Sequence, residues 1–110
     1  MKTSKLTGTA LDWAVAKSEG HIRPDGGFYA GQQGRPLTRY STDWAQGGPI
    51  IERERITVVA MPNGSWQSQG KDLRPHFHNA TPLIAAMRCF VASKLGDEVD
   101  VPNEILEEVK

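Results

Sequence analysis

The chain has 110 residues, with 13 lysines and arginines balancing 13 aspartates and glutamates, so its formal net charge is zero. That length suits one domain, residues 1–110, with a single modest core, and the balanced charge gives no basic face of the kind nucleic-acid binding needs. One cysteine, Cys89, excludes an intramolecular disulfide, and no apolar run approaches the length that spans a membrane.

The opening residues lack the apolar stretch of a signal peptide and lead straight into a helix, so the chain reads as a soluble cytoplasmic protein. That first helix runs from Gly8 to about Ser18, capped by Thr7, with Leu6 stapled against Leu11. Leu11, Ala14, Val15 and Ser18 form its buried edge, Trp13 stands to one side, and Gly20 ends it. Residues 21–39 are a glycine-rich loop in which Phe28 and Tyr29 offer a short strand.

Ser41, Thr42 or Asp43 then starts a helical turn, Gly47-Gly48 loosens it, and Pro49 begins a continuation to Glu54, as one kinked helix or two. Arg55 to Met61 is rich in β-branched residues and reads as a strand. Asn63-Gly64 is the strongest hairpin signal, with Trp66 to Gln69 as the return strand. A two-residue turn pairs Met61 with Trp66 and Val59 with Ser68, which sets Ile56, Val58 and Ala60 opposite glutamines. That match is poor, and the register stays open. Leu73 to His78 offers a third strand carrying Phe77.

Thr81 to Gly96 carries a complete set of helix signals: Thr81 as cap, Pro82 at the first position, and Gly96 closing the last turn in a left-handed conformation. Ile84, Met87, Val91 and Leu95 form its stripe, widened by Leu83 and Phe90. A short extension, 97–110, follows, in which Pro102 starts a terminal helix with Ile105, Leu106 and Val109. The whole reads as an α+β fold, in the order α-α-β-β-(β)-α, with two or three helices packed on a small antiparallel sheet of two to three strands.

Chemistry is harder to find. His76 and His78 flank Phe77, but a His-x-His pair with only Asp72 nearby lacks the third and fourth ligands of a metal site; the plainer reading turns the histidines to solvent and Phe77 inward. Cys89 sits mid-helix as a packing residue. No serine has an elbow-like glycine context with a histidine partner, and Glu52 and Glu54, alternating with Arg53 and Arg55, suit a solvated helix face. Gly47-Gly48-Pro49 lacks the lysine and hydroxyl of a phosphate loop. Ser41, Thr42, Asp43 and Trp44 are the most suggestive group: two hydroxyls, a carboxylate and an indole suit a small-ligand pocket at a helix start. The same letters are also an ordinary capped helix start with a buried tryptophan, which is the simpler account.

Three segments carry a family resemblance. Leu-Thr-Gly-Thr-Ala-Leu-Asp-Trp-Ala-Val-Ala-Lys at 6–17, Ser-Thr-Asp-Trp-Ala-Gln-Gly-Gly-Pro-Ile-Ile-Glu-Arg-Glu at 41–54, and the helix at 81–96 resemble, in order and spacing, the NinX-like family of phage proteins. The middle of the chain is also similar to phage domains described as α-β-α sandwiches. The resemblance implies a phage or prophage origin and an accessory role in the cytoplasm of an infected bacterium. It implies no activity, ligand, cofactor or catalytic residue, and residues 21–39 depart from typical members. The leading expectation is therefore a non-enzymatic module that binds a host or phage protein, or another copy of itself, through Arg39, Tyr40, Ser41, Thr42, Asp43 and Trp44 beside the 21–39 loop. The alternatives are a small-ligand or nucleotide-binding protein using Ser41 to Trp44, and a metal-dependent hydrolase around His76 and His78. No cofactor and no membrane partner are expected.

Overall fold

The computed structural model describes residues 1–21, 38–70, 76–103 and 105. After a 3-10 turn at Thr3–Lys5 come helices α1 (Gly8–Ser18) and α2 (Trp44–Glu54), strands β1 (Thr57–Ala60), β2 (Trp66–Gln69) and β3 (His76–Asn79), and helix α3 (Pro82–Leu95). The strands form one antiparallel sheet in the order β1-β2-β3. The α+β class and the element order are those read from the sequence. Phe28, Tyr29, the start of the third strand and most of the expected terminal helix lie outside the described residues. Among the described residues, no helix is long and apolar enough to cross a membrane.

Helix α3 forms where its caps dictate. Thr81 is extended and its hydroxyl accepts from the Ile84 N–H at 3.3 Å, Pro82 follows, and the Gly96 N–H closes the end on the Ala92 carbonyl. Gly96 has the expected positive φ of 89°, but its ψ of −165° is extended and not left-handed helical. That turn sends the chain back along the N-terminal segment, where the Thr3 hydroxyl donates to the Gly96 carbonyl and the Thr3 N–H to the Asp97 carbonyl. Val99 and Val101 then enter the core, so the start of the 97–110 extension is docked.

An apolar stripe was the expectation for α3, and the structure corrects it. Every residue from Ala85 to Val91 is buried, while Ile84 and Leu95 at the ends are only half-buried. The helix runs through the middle of the molecule and is in contact with α1, α2, the 3-10 turn and all three strands. Ala85 and Arg88 share a stripe that meets the sheet: the Ser68 hydroxyl of β2 donates to the Ala85 carbonyl, and Arg88 Nη1 donates to the His78 carbonyl of β3. Leu83, Phe90 and Lys94 lie on the opposite stripe and meet α2. The layers are therefore helices, then α3, then sheet; among the described residues no helix covers the outer face of the sheet, unlike an α-β-α sandwich.

The hairpin settles the open register. The Met61 N–H donates to the Ser65 carbonyl and the Gly64 N–H to the Met61 carbonyl, so the loop is Pro62-Asn63-Gly64, one residue longer than a two-residue turn. Gly64 supplies the φ of 90° that such a loop requires. The extra residue shifts the pairing to Val58 with Ser68 and Ala60 with Trp66, and Ser68 in turn faces Phe77. Val58, Ser68 and Phe77 thus share the side turned to α3, whereas Val59 is exposed and Gln67 half-buried on the other. The poor match of the shorter turn is removed.

Residues 44–54 form one continuous helix despite Pro49, with Arg55 in left-handed conformation (φ 54°) at its end. Its inward line is Gly47 and Ile50. A Cβ built on Gly47 meets the Tyr40 carbonyl oxygen at 2.5 Å and Leu83 Cδ1 at 2.6 Å, so only glycine lets α2 approach this closely. At Gly48 the nearest atom is Trp44 Cε3 at 3.8 Å, an ordinary contact. Gly47→Ala is therefore expected to lower the unfolding free energy by about 1–3 kcal/mol through overpacking, whereas Gly48→Ala raises it by roughly 0.5–1 kcal/mol through helix propensity. Urea unfolding of both variants checks this; equal effects contradict the packing described.

Candidate functional site

Each of the six residues from Arg39 to Trp44 is placed by the turn that leads into α2. The Arg39 carbonyl accepts from the N–H groups of Thr42 and Asp43, at 3.3 and 2.9 Å, curling the chain into the helix. The Asp43 side chain accepts from the Ala45 N–H at 3.0 Å, so of the three candidate caps Asp43 is the one used. The turn divides the six residues. Tyr40 and Ser41 point inward and are buried, while Arg39, Thr42, Asp43 and Trp44 are exposed.

Trp44 is the correction with most consequence. A buried indole was part of the simpler account of this segment, yet Trp44 is 54% exposed. The reason is geometric: the inward line of α2 passes through Gly47 and Ile50, and Trp44 lies to its flank, over Gly48. Trp13, to one side of the apolar edge of α1, is buried as a core anchor, with the Lys17 ammonium 5.3 Å from its ring centroid.

Beneath the turn lies a residue that sequence reasoning missed. Asp12, on α1, is 7% exposed, and its Oδ1 accepts from the Ser41 backbone N–H at 2.9 Å. Burial raises the Asp12 carboxyl above its ordinary value, opposed by the contacts with Ser41 and by the charge of Arg39. The Ser41 hydroxyl exerts its field on that carboxylate but reaches hydrogen-bond geometry with no group. Burial likewise raises the Tyr40 hydroxyl. No local signal marks Asp12, because its partner is 29 residues away.

Arg88 was also passed over, although a lone charge between Met87 and Cys89 in an apolar helix was a visible signal. It is buried, with Nε donating to the Leu6 carbonyl at 2.8 Å and Nη1 to the His78 carbonyl at 3.4 Å. Burial lowers its pKa. Arg88 therefore ties the entry to α1 and strand β3 to the central helix.

His78 is exposed and Phe77 half-buried against the core, as the plainer reading has it, and position 76 pairs with Gln69. Among the described residues no three His, Cys, Asp or Glu side chains gather as a metal site. Described residues line a cleft of about 400 Å³ between Lys2, Phe77 and Asp97 and an open one of about 490 Å³ beside Asn63 and His78. Neither touches the Arg39–Trp44 segment.

The Asp12–Ser41 contact makes a pH prediction. Because the folded-state pKa lies above the unfolded value of 3.8, the folded chain holds more protons between the two, and the contribution of Asp12 to stability falls as pH rises through that window. Asp12→Asn keeps an acceptor for the Ser41 N–H and offers an amide donor to the unpaired Ser41 hydroxyl. In urea unfolding it should match or exceed the parent at pH 7, with the difference narrowing toward pH 4. Asp12→Ala leaves the buried N–H unpaired and should lose about 1–3 kcal/mol at either pH. An Asn variant as damaged as the Ala variant contradicts this account.

No curated protein matches the chain. The family model described as "Bacteriophage P22, NinX" matches residues 2–94, which takes in all the elements from the 3-10 turn through most of α3. The chain belongs to this phage NinX family.

Proposed function

We propose that this protein is a phage accessory factor without catalytic activity that works by binding a host or phage protein through the surface formed by Arg39, Thr42, Asp43 and Trp44. The observation that carries the reading is the exposed indole of Trp44, held at 54% exposure on the flank of a rigidly seated helix. Tryptophan and arginine recur at the centres of interfaces, where a large planar group buries much apolar area at little entropic cost. Tyr40, Ser41 and Asp12 belong to the scaffold beneath this surface and do not touch the partner. Gly47, seated against Leu83 and the Tyr40 carbonyl, holds the helix that presents the indole.

A second reading, a small-ligand or nucleotide site at the same segment, has one observation in its favour, the buried Ser41 hydroxyl without a hydrogen bond. We rank it below the first. Asp43 already occupies the start of α2 and the Asp12 carboxylate borders Ser41, so two negative groups stand where an anionic ligand would dock.

Affinity capture from phage-infected cells tests the assignment. Trp44→Ala and Arg39→Ala, both at exposed positions, should fold like the parent by circular dichroism. Each should lose the bulk of any partner that the parent recovers, Trp44→Ala more completely. Full recovery by both folded variants removes this surface from consideration.

A further inference from the structure

Among the described residues, strand β1 lies at one edge of the sheet, paired on one side with β2. In an antiparallel ladder, residues alternate between those that bond to the neighbouring strand and those whose N–H and C=O point the other way. The Met61 N–H is bonded to Ser65, so counting back, Val59 and Thr57 spend their backbone groups on β2. Val58 and Ala60 direct theirs outward. Natural sheets blunt such edges by keeping them very short or with charge, proline or a bulge within the strand. Thr57–Ala60 is short, with four residues, but it carries no charge, proline or bulge, and Val59 is 45% exposed.

We infer that β1 pairs antiparallel with β1 of a second copy of this chain, about a twofold axis through Val59, joining the two sheets into one. A second copy is favoured over an unrelated strand because the segment is complementary to itself. Centred on Val59, Val58 faces the other copy's Ala60, Thr57 faces its Met61, and the two Val59 side chains meet on the axis. Each position keeps its own side of the sheet, since the offset between paired residues is even. Four hydrogen bonds form, two from each Val58–Ala60 pair. The pairing also ends of its own accord. The next partners are Ile56 and Pro62, and Pro62 has no N–H while that of Ile56 is already donated to the Ile51 carbonyl at 3.1 Å.

The contact is small. Four residues span about 13 Å, so the buried area falls short of what a permanent dimer needs, and the association is weak and concentration-dependent. It does not involve the Trp44 surface, because α2 and the sheet meet opposite stripes of α3; either proposal can fail without the other.

Sedimentation velocity of the purified full chain, from micromolar to millimolar concentration, should show a monomer–dimer equilibrium that Val59→Lys shifts to monomer by setting two ammonium groups face to face. Val59→Cys gives the positional test. At the axis the two residues form a non-hydrogen-bonded pair with a Cα separation of about 4.5 Å, within disulfide range. Under mild oxidation Val59→Cys should crosslink into a dimer roughly tenfold faster than Thr57→Cys, an exposed neighbour that faces Met61 and not itself. Equal crosslinking rates for the two cysteine variants overturn the pairing. So does a parent chain that sediments like Val59→Lys at every concentration.

Discussion

Helix α3 has no solvent face over its middle. From Ala85 to Val91 every residue is buried, so the rest of the chain must supply cover on all sides of one rod. Helices α1 and α2, the N-terminal turn and the sheet each pack against it, and their mutual contacts are minor apart from the strand ladders. A domain of this size can bury only one such element, and doing so makes α3 the shared partner of every other. Small residues allow the close approach: Ala85 and Ala86 on the helix itself, and Gly47 on α2.

Burying a helix all round also buries its polar residues, and these act as fasteners. Arg88 of α3 gives donors to the carbonyls of Leu6 and His78, and the buried Ser68 hydroxyl of β2 meets its own need by donating to the Ala85 carbonyl of the helix. Asp12 does the same for the Ser41 N–H, fixing the turn that launches α2. An ion-pair chain ties the outer ends: Arg53 of α2 bonds Glu19 at the end of α1 and Glu54, and Glu54 approaches Lys94 of α3 at 3.9 Å. Arg53 also lies over the Phe90 ring, 5.5 Å from its centroid. With half of the Arg53 side chain in solvent, this latch orients the helices more than it stabilises them.

What the sequence made legible was local. The cap at Thr81, the stop at Gly20, where the His21 N–H reaches back to the Ala16 carbonyl, and the turn at Asn63-Gly64 each rest on a few adjacent residues. What it hid was relative. Whether α3 has one covered face or none depends on how many elements pack on it, and no periodicity within the helix reports that number. The exposure of Trp44 follows from the line on which α2 is seated, which Gly47 sets through a contact with Leu83, far along the chain. The hairpin register turned on one residue of loop length. Asp12 was invisible because its partner is remote, whereas Arg88 stood out in its apolar surroundings and was overlooked.

Family membership, an inward-facing set of polar groups committed to backbone partners, and an outward tryptophan together describe a body that presents a surface. Everything in that description requires the central helix to hold its surroundings as one cooperative unit. Native-state hydrogen exchange across residues 85–91 tests this most directly. The account predicts that these amides exchange only through global unfolding, with an exchange free energy equal to that from urea denaturation and the highest in the chain. Exchange of the same amides by a local opening well below that value, with the sheet or α1 more protected, would contradict it.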